Sequence, residues 1–450
     1  MNSVLYDVAV VGSGPGGFAA AVRAAQLGAR VALVEKSLIG GTCLNCGCMP
    51  TKFLWQALKL KQKIQKSYEY GFKADTAPVV FADVAFRKDK NIANIRKGME
   101  LVLASYSVDV IKGQASFKTE SILSVSNEKG CFDISADKII IASGTEPSEL
   151  KGFEFSGGKI INSSDALSLT EVPKSMLIIG GGAVGVEMAT VFSGFGSSVT
   201  LAERNKQLLP NEDSEISGEI KKNLSRQGVE VLVSCKNALD CIDKYEKVLI
   251  VTGRSPININ AFGIDRVGIK TFGKGFIETD KCCRTNVENI YAVGDIAGKN
   301  LLAYTAQNEG AVAAENAVKG TFLEAGTKVI PQAVFSMPQS ASAEVTDFSS
   351  YKNVVIGRFP FTSSGRAFIE CERTGFVKCV VDEISRRPLA FRMVGAHCDE
   401  LVNTASQMLA GGGADSISRE SFFHPSLSEA LLGAYENALG KCTELQKKAD

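Results

Sequence analysis

The arrangement of apolar and polar positions repeats itself along this chain. An apolar run (Val8–Val11) passes through a glycine-rich turn into a small-residue stretch that reads as a helix, and a second apolar run (Val31–Val34) closes on Glu35. The same order returns 168 positions later, with Met176–Ile179, a glycine-rich turn, an Ala-containing stretch and Val199–Ala202 closing on Glu203. Gly12, Gly14 and Gly17 fall on Gly180, Gly182 and Gly185, and Gly28 falls on Gly196. Each copy predicts strand, turn, helix and strand. Apolar runs without alternation are typical of parallel strands covered on both faces. Lys138–Ser143 before Gly144, Val248–Thr252 before Gly253 and Ile290–Val293 before Gly294-Asp295 share this texture and predict further such strands.

After about residue 329 the pattern changes. Phe368-Ile369 and Phe376–Val381 predict antiparallel strands, whereas Asp399–Leu409 and Ser426–Leu439 predict helices. A third unit of α+β type therefore begins near Pro331. A chain of 450 residues has room for roughly two to four domains.

The glycines of the repeated unit each have a physical reason. The first permits a tight turn, the second lets the backbone approach a pyrophosphate, and the third lets helix pack on strand. The helix N-terminus offers free N–H groups to phosphates. A glutamate at the end of the second strand accepts hydrogen bonds from ribose hydroxyls. One such turn is weak evidence. Two at identical spacing, each closed by glutamate, predict two bound dinucleotides.

Composition narrows the function classes. The 50 basic and 49 acidic residues nearly cancel, which argues against the basic face of a nucleic-acid-binding protein. No apolar run approaches the ~20 residues of a membrane span. Tyr6-Asp7 before a short apolar run ending in glycine reads as a strand, not a signal peptide. Twelve cysteines in 450 residues are too sparse for a disulfide scaffold and suit reduced thiols of a cytoplasmic protein. Imidazole chemistry has only His397 and His424 to draw on.

One cysteine cluster stands apart. Gly40–Lys52 reads G-G-T-C-L-N-C-G-C-M-P-T-K, directly after the first nucleotide unit. Phe53–Leu58 predicts a helix with Pro50 near its first turn. Cys48 would sit at the positive end of that helix, which favours its thiolate. Cys43 could reach Cys48 and close a small disulfide ring. Cys46 could instead pair with Cys43 as a C-x-x-C motif, or only fill an apolar slot. A zinc site on Cys43, Cys46 and Cys48 lacks the complementary Cys/His pair such sites need, so no metal is expected.

With these residues the chain resembles the pyridine nucleotide-disulfide oxidoreductases, most of all their dihydrolipoamide dehydrogenase branch. The Gly40–Lys52 segment matches the family's redox segment except at Cys46, where the family usually has Val. The likeness continues through Ala142-Ser143-Gly144, Thr285–Asp295, Leu302–Gly310, Gly375–Lys378 and Phe423–Glu429. It departs at Tyr304 and Phe422, where the branch often has His, and at Cys398–Leu401, where its loop is longer.

The resemblance implies an α/β fold with two Rossmann-like dinucleotide-binding domains and a C-terminal α+β dimerisation domain. FAD would occupy residues 1–148 with 275–328, NAD residues 149–274, and residues 329–450 would form the interface of a homodimer. The implied cofactor-binding residues in the first part of the chain are Gly12, Gly14, Gly17, Glu35, Lys36, Gly41, Thr42, Lys52, Ala115, Ala142, Ser143 and Gly144. Those further along are Gly180, Gly182, Gly185, Glu187, Glu203, Gly253, Asp295, Leu302 and Ala303. Lys52 and Glu187 would pair beside the flavin.

The resemblance also implies catalysis by Cys43, Cys48, His424 and Glu429. Oxidising a dithiol requires removal of a proton from a thiol with a pKa of about 8.5. A histidine held by a carboxylate can take that proton, and His424 with Glu429 matches the family's pair, while His397 reads as structural. A carboxylate at Glu203 favours NAD over NADP, although Arg204 beside it leaves some room for NADP. The expected substrate is a dihydrolipoyl group of a 2-oxo-acid dehydrogenase or glycine cleavage complex. A reductase of another disulfide driven by NAD(P)H, or a docking subunit of such a complex, are the alternatives.

Overall fold

The first repeat folds as β1 (Val4–Val11), α1 (Pro15–Gln26) and β2 (Val31–Glu35), with β1 and β2 parallel and Val8 opposite Val31. The computed structural model describes residues 4–74, 78–155, 157–257, 262–411 and 422–446. Two helices follow, α2 (Gly41–Cys46) and α3 (Cys48–Gln65), and then the long α4 (Phe81–Ser105). The chain next lays down β3 (Asp109–Lys112), β4 (Gln114–Thr119), β5 (Ile122–Asn127) and β6 (Gly130–Ile141). The sheet order is β3-β2-β1-β6-β5-β4. β6 runs antiparallel to β5 from Gly130 to Ser135 and parallel to β1 from Ile134 to Ile141. Its last residues, Ile139–Ile141, are fully buried; each such side chain contributes roughly 1.5–3 kcal/mol on transfer from water.

The strap β7 (Thr145–Pro147) leads into the second repeat. There β8 (Ile160–Ile161), α5 (Ser163–Leu167), β9 (Ser175–Ile179), α6 (Ala183–Gly194), β10 (Ser198–Ala202), α7 (Ser214–Arg226), β11 (Glu230–Leu232) and β12 (Lys247–Ile250) follow in order. Their sheet is all-parallel with order β11-β10-β9-β12-β8. The return strap β13 (Arg254–Pro256) pairs antiparallel with β7. A short hairpin, β14 (Thr271–Phe272) with β15 (Phe276–Ile277), precedes β16 (Ile290–Ala292). β16 rejoins the first sheet in parallel beside β6, with Ile290 opposite Ile139. Helix α8 (Ala303–Lys319) then packs on α1 so closely that a Cβ on Gly310 would stand 2.1 Å from the Gly16 carbonyl oxygen.

The third unit is an antiparallel sheet of β17 (Val329–Val334), β18 (Gln339–Val345), β19 (Val354–Pro360), β20 (Phe376–Asp382) and β21 (Pro388–Gly395), in the order β17-β18-β21-β20-β19. One expectation fails here: Phe368-Ile369 is not a strand. It ends the helix α9 (Gly365–Ile369), where the Ser364 hydroxyl accepts the Ala367 N–H as an N-cap. Phe368 and Ile369 are 52% and 58% exposed, so no sheet packing holds them extended. Two further helices, α10 (Cys398–Ala410) and α11 (Glu429–Ala438), cover the sheet over a core that includes Phe359, Phe391, Leu401 and Leu431. Salt bridges tie this unit to the second: Lys378 Nζ lies 2.8 Å from Asp213 and 2.9 Å from Glu215, and Arg392 lies 3.2 Å from Glu212. No helix among the described residues is long and apolar enough to cross a membrane.

Candidate active site

Both glycine turns take the same shape. Gly12 and Gly180 have φ of +97° and +115°, the left-handed region in which a Cβ is strained. A Cβ on Gly17 or Gly185 would come within 1.8 Å of the Gly12 or Gly180 carbonyl oxygen, so these positions fix how closely helix meets strand. Gly14 and Gly182, the N-caps of α1 and α6, face open space. That opening beside a helix N-terminus fits a pyrophosphate.

The glutamates at the strand ends are buried and held in place. Glu35 accepts hydrogen bonds from the Ser13 N–H (2.8 Å), the Ser13 hydroxyl (2.7 Å) and the Ser37 N–H (2.8 Å). Glu203 accepts from the Gly181 N–H (2.7 Å), the Asn205 N–H (2.7 Å) and the Asn205 side-chain amide (2.6 Å). Each carboxylate keeps lone pairs for ribose hydroxyls. Gly12, Glu35, Lys36, Ala115 and Ser143 line one cavity together with Phe262. Ala142 closes the first turn by donating to the Val11 carbonyl (2.8 Å). Gly144 and Gly253 have φ of +73° and +131°, and the Gly253 carbonyl accepts from Ser148 across the two straps. The residues present thus fit two dinucleotides.

The cysteine-bearing turn lies beside the first of these sites. Gly41 and Thr42 open α2, whose first residue packs on the glycine turn: a Cβ on Gly41 would stand 2.7 Å from the Gly14 Cα. Cys43 lies in α2 and Cys48 begins α3. The side chain of Asn45 braces the turn by donating to the Ile39 (3.0 Å) and Gly41 (2.9 Å) carbonyls, while Arg96 of α4 donates to its oxygen (3.0 Å). Cys43 and Cys48 are hydrogen-bonded thiols of opposite character. The hydrogen bond from Cys43, helped by the Lys52 cation, brings Cys48 down to about 7 against the opposing effect of burial. The same hydrogen bond, followed by burial, pushes Cys43 far up.

Behind the thiols, Lys52 Nζ meets Glu187 Oε1 at 2.9 Å and Oε2 at 3.0 Å. Glu187 also accepts the Phe335 N–H (3.1 Å), and Lys52 Nζ stands 4.6 Å from the Phe335 ring centre. Asp295 accepts the Thr145 hydroxyl (3.0 Å), with Arg254 at 3.9 Å. Leu302 is the N-cap of α8 and Ala303 its first residue, and neighbouring Tyr304 donates to the Pro331 carbonyl (3.1 Å). The tyrosine thereby links α8 to the third unit.

Glu429 is the first residue of α11, and His424 lies five residues before it. His424 Nδ1 lies 2.9 Å from Glu429 Oε1, and the Ser426 N–H fixes Glu429 Oε2 at 2.7 Å. The His424 side chain is 81% exposed. Its imidazole is held by the carboxylate and faces outward. His397 instead pairs with Glu370 at 3.1 Å, and α10 begins directly after it.

Residues 6–310 match the family described as pyridine nucleotide-disulphide oxidoreductase, and residues 330–435 match its dimerisation domain. The chain belongs to this family. It is 36% identical over 455 residues to a dihydrolipoyl dehydrogenase of Geobacillus stearothermophilus, covering 96% of each chain. It is 34% identical to dihydrolipoyl dehydrogenase 3 of Haloarcula marismortui, covering 97% of each. Among solved structures it resembles the HOCl-induced flavoprotein disulfide reductase RclA of Escherichia coli at 27% identity and a TM-score of 0.84, covering 96% of this chain and 99% of that one.

As a pyridine nucleotide-disulphide oxidoreductase, the protein is an FAD- and NAD-using disulfide oxidoreductase with a mixed α/β fold and a dimerisation domain. Several supporting residues were not singled out from the sequence. Ser13, Ser37 and Asn205 position the two glutamates, and Arg254 and Thr145 hold Asp295. Glu309, raised by burial, accepts the Gly294 N–H (2.7 Å) just before Asp295. A signal existed for one pair: Ser37 and Asn205 are themselves 168 positions apart, each two residues beyond its glutamate.

Proposed function

We propose that the chain oxidises a dihydrolipoyl dithiol to the cyclic disulfide with NAD as acceptor, through the Cys43/Cys48 pair. The observation that carries this reading is the asymmetry of the two neighbouring thiols, Cys48 acidified by the hydrogen bond from Cys43 and then by Lys52, and Cys43 pushed up by that same bond and by burial. It is joined by the likeness to dihydrolipoyl dehydrogenases along almost the whole chain. FAD would be held by the first glycine turn, Glu35 and the groups around Asp295, NAD by the second turn, and together they would supply two-electron chemistry when bound.

The residues divide the work as follows. His424 takes the proton of a substrate thiol, and the resulting thiolate attacks Cys43 in the Cys43–Cys48 disulfide. Cys48 leaves as a thiolate, which Lys52 favours. The second substrate thiol displaces Cys43, closing the substrate disulfide. Attack depends on thiolate fraction and access, and the base contributes typically 10²–10⁴-fold. Glu429 holds the imidazole in orientation.

The outward-facing His424 supports a homodimer in which this base serves the thiols of the partner subunit. The course of β16 back to the first sheet supports an FAD unit of residues 1–148 with 275–328, an NAD unit of 149–274 and an interface unit of 329–450. Twelve free thiols suit a cytoplasmic setting, and the dihydrolipoyl donor would be carried by a 2-oxo-acid dehydrogenase or glycine cleavage complex. One observation favours a second reading, reduction of another disulfide by NAD(P)H: the fold-wide likeness to RclA. Steady-state turnover of dihydrolipoamide with NAD against oxidised glutathione with NADPH separates the two. Faster turnover in the second assay would overturn the proposal.

A further inference from the structure

Cys46 stands one helical turn after Cys43 within α2 and two residues before Cys48. Residues i and i+3 of an α-helix share a face, and its rise and radius put their Cα atoms about 5 Å apart. Disulfides span roughly 4.4–6.8 Å between Cα atoms and about 3.5–4.5 Å between Cβ atoms, whereas Cβ atoms at i and i+3 of a helix stand about 5–6 Å apart, so joining Cys43 to Cys46 takes a side-chain turn together with a shift of about 1 Å in the last turn of α2, whose C-cap is Gly47. Cys43 is at the same time the hydrogen-bond partner of Cys48. It is therefore the sulfur that two neighbours can reach. All three thiols are only half-buried, so they can turn without opening a core. They do not form a metal cradle: among the described residues, the one trio with donor atoms within 4.8 Å of one another is Glu436, Cys442 and Glu444.

We propose that the oxidised protein holds its active-site disulfide in two registers, Cys43–Cys48 and Cys43–Cys46, and that Cys46 carries it between them, an inference resting on the reading of Cys43 and Cys48 as the redox pair. Cys46 loses its proton to solvent and its thiolate attacks the Cys43 sulfur. The Cys43–Cys46 bond forms as the Cys43–Cys48 bond breaks, and Cys48 leaves with the electron pair as a thiolate. Nothing is oxidised or reduced overall, and no outside reagent is required. The second register is a resting form. It keeps the same oxidising equivalents, but Cys48 must attack Cys43 again before the working disulfide returns.

Because a proton is released, alkaline pH favours the resting register. The charged groups that act on Cys43 and Cys48 are Lys52 on α3, Glu187 from α6 and Asp295 after β16, and Arg96 from α4 holds Asn45 of the same turn. Lys52 stabilises the departing Cys48 thiolate and Glu187 opposes it, while the Cys43 thiol that donates to Cys48 in the reduced pair is tied up in the Cys43–Cys46 bond.

The test uses the flavin-loaded protein oxidised by dioxygen, quenched in acid at several pH values, then denatured and alkylated. Peptide mass spectrometry reads which of the three cysteines carries label. One label per chain is expected, divided between Cys46 and Cys48, with the Cys48 share rising at least severalfold from about pH 6 to about pH 9 as thiolate forms. Cys46→Val should leave the trio unlabelled at every pH. Cys48→Ser, oxidised in the same way, should still leave Cys43 and Cys46 unlabelled, because they are joined. Label confined to Cys46 at every pH, with Cys43 and Cys46 both labelled in Cys48→Ser, would overturn the two-register proposal and leave the redox pair standing. Label on all three in the oxidised wild type would instead overturn the redox pair itself.

Discussion

Lys52 Nζ lies 2.9 Å from Glu187 Oε1, joining α3 of the first nucleotide unit to α6 of the second directly behind Cys48. The cation favours the Cys48 thiolate and the carboxylate opposes it. Lys52→Met should therefore raise the Cys48 pKa from about 7, and Glu187→Gln should lower it. The pH dependence of Cys48 alkylation in the reduced protein measures both. Lys52→Met also strips Glu187, only 7% exposed, of its cation. Urea unfolding should show a loss on the order of 2 kcal/mol, below the usual cost of breaking a fully buried pair because Lys52 itself is partly exposed. No movement of the Cys48 titration in either variant would mean that the pair does not act on the thiol.

The two thiols should be separable by colour. Cys43→Ser leaves Cys48 free to stand as a thiolate against oxidised flavin, so a long-wavelength charge-transfer band is expected without any reductant. Cys48→Ser should lack the band even after two-electron reduction. The reverse pattern would exchange the roles assigned to Cys43 and Cys48.

Glu203 should govern the choice of nicotinamide nucleotide. Its carboxylate suits a 2′-hydroxyl and repels a 2′-phosphate, so wild-type kcat/KM should favour NAD. Glu203→Gln should narrow the preference by on the order of tenfold, equivalent to about 1.4 kcal/mol. Asn205→Ala, which frees the carboxylate from its amide partner, should chiefly raise KM for NAD. A wild-type preference for NADP would contradict this account of Glu203.

A mixed dimer tests whether His424 acts across the interface. Cys43→Ser and His424→Gln homodimers should each be nearly inactive towards dithiol. A dimer of one chain of each type pairs an intact thiol pair with an intact base at one of its two sites, and should recover about half the wild-type activity by two-fold symmetry. Mixed dimers that form but stay inactive would place His424 with the thiols of its own chain.

Much of this was legible along the chain because it is local. The paired β-α-β units could be read from glycine spacing and from the glutamate after each second strand, since a turn's shape depends on its own few residues. The His424–Glu429 bond spans only five positions. What stayed hidden depends on distant partners. Phe335 donates to Glu187 across 148 positions and Lys378 reaches Asp213 across 165, and no local pattern announces either. Phe368-Ile369 misled for a related reason: two large apolar residues suggest a strand, yet the N-cap at Ser364 and the exposure of both side chains decide for a helix turn.

The return of β16 to the first sheet also bears on how the molecule assembles during synthesis. The strands of the second sheet all lie between residues 160 and 250, so that sheet can close as soon as this stretch leaves the ribosome. The first sheet cannot: the parallel edge of β6 at Ile139–Ile141 waits about 150 residues for Ile290–Ala292, and α1 waits longer still for α8. The unit begun first is thus completed after the one inserted into it, reversing the usual N-to-C order of domain folding. Until then β6 presents an unpaired apolar edge, the kind of surface on which a nascent chain aggregates or recruits a chaperone.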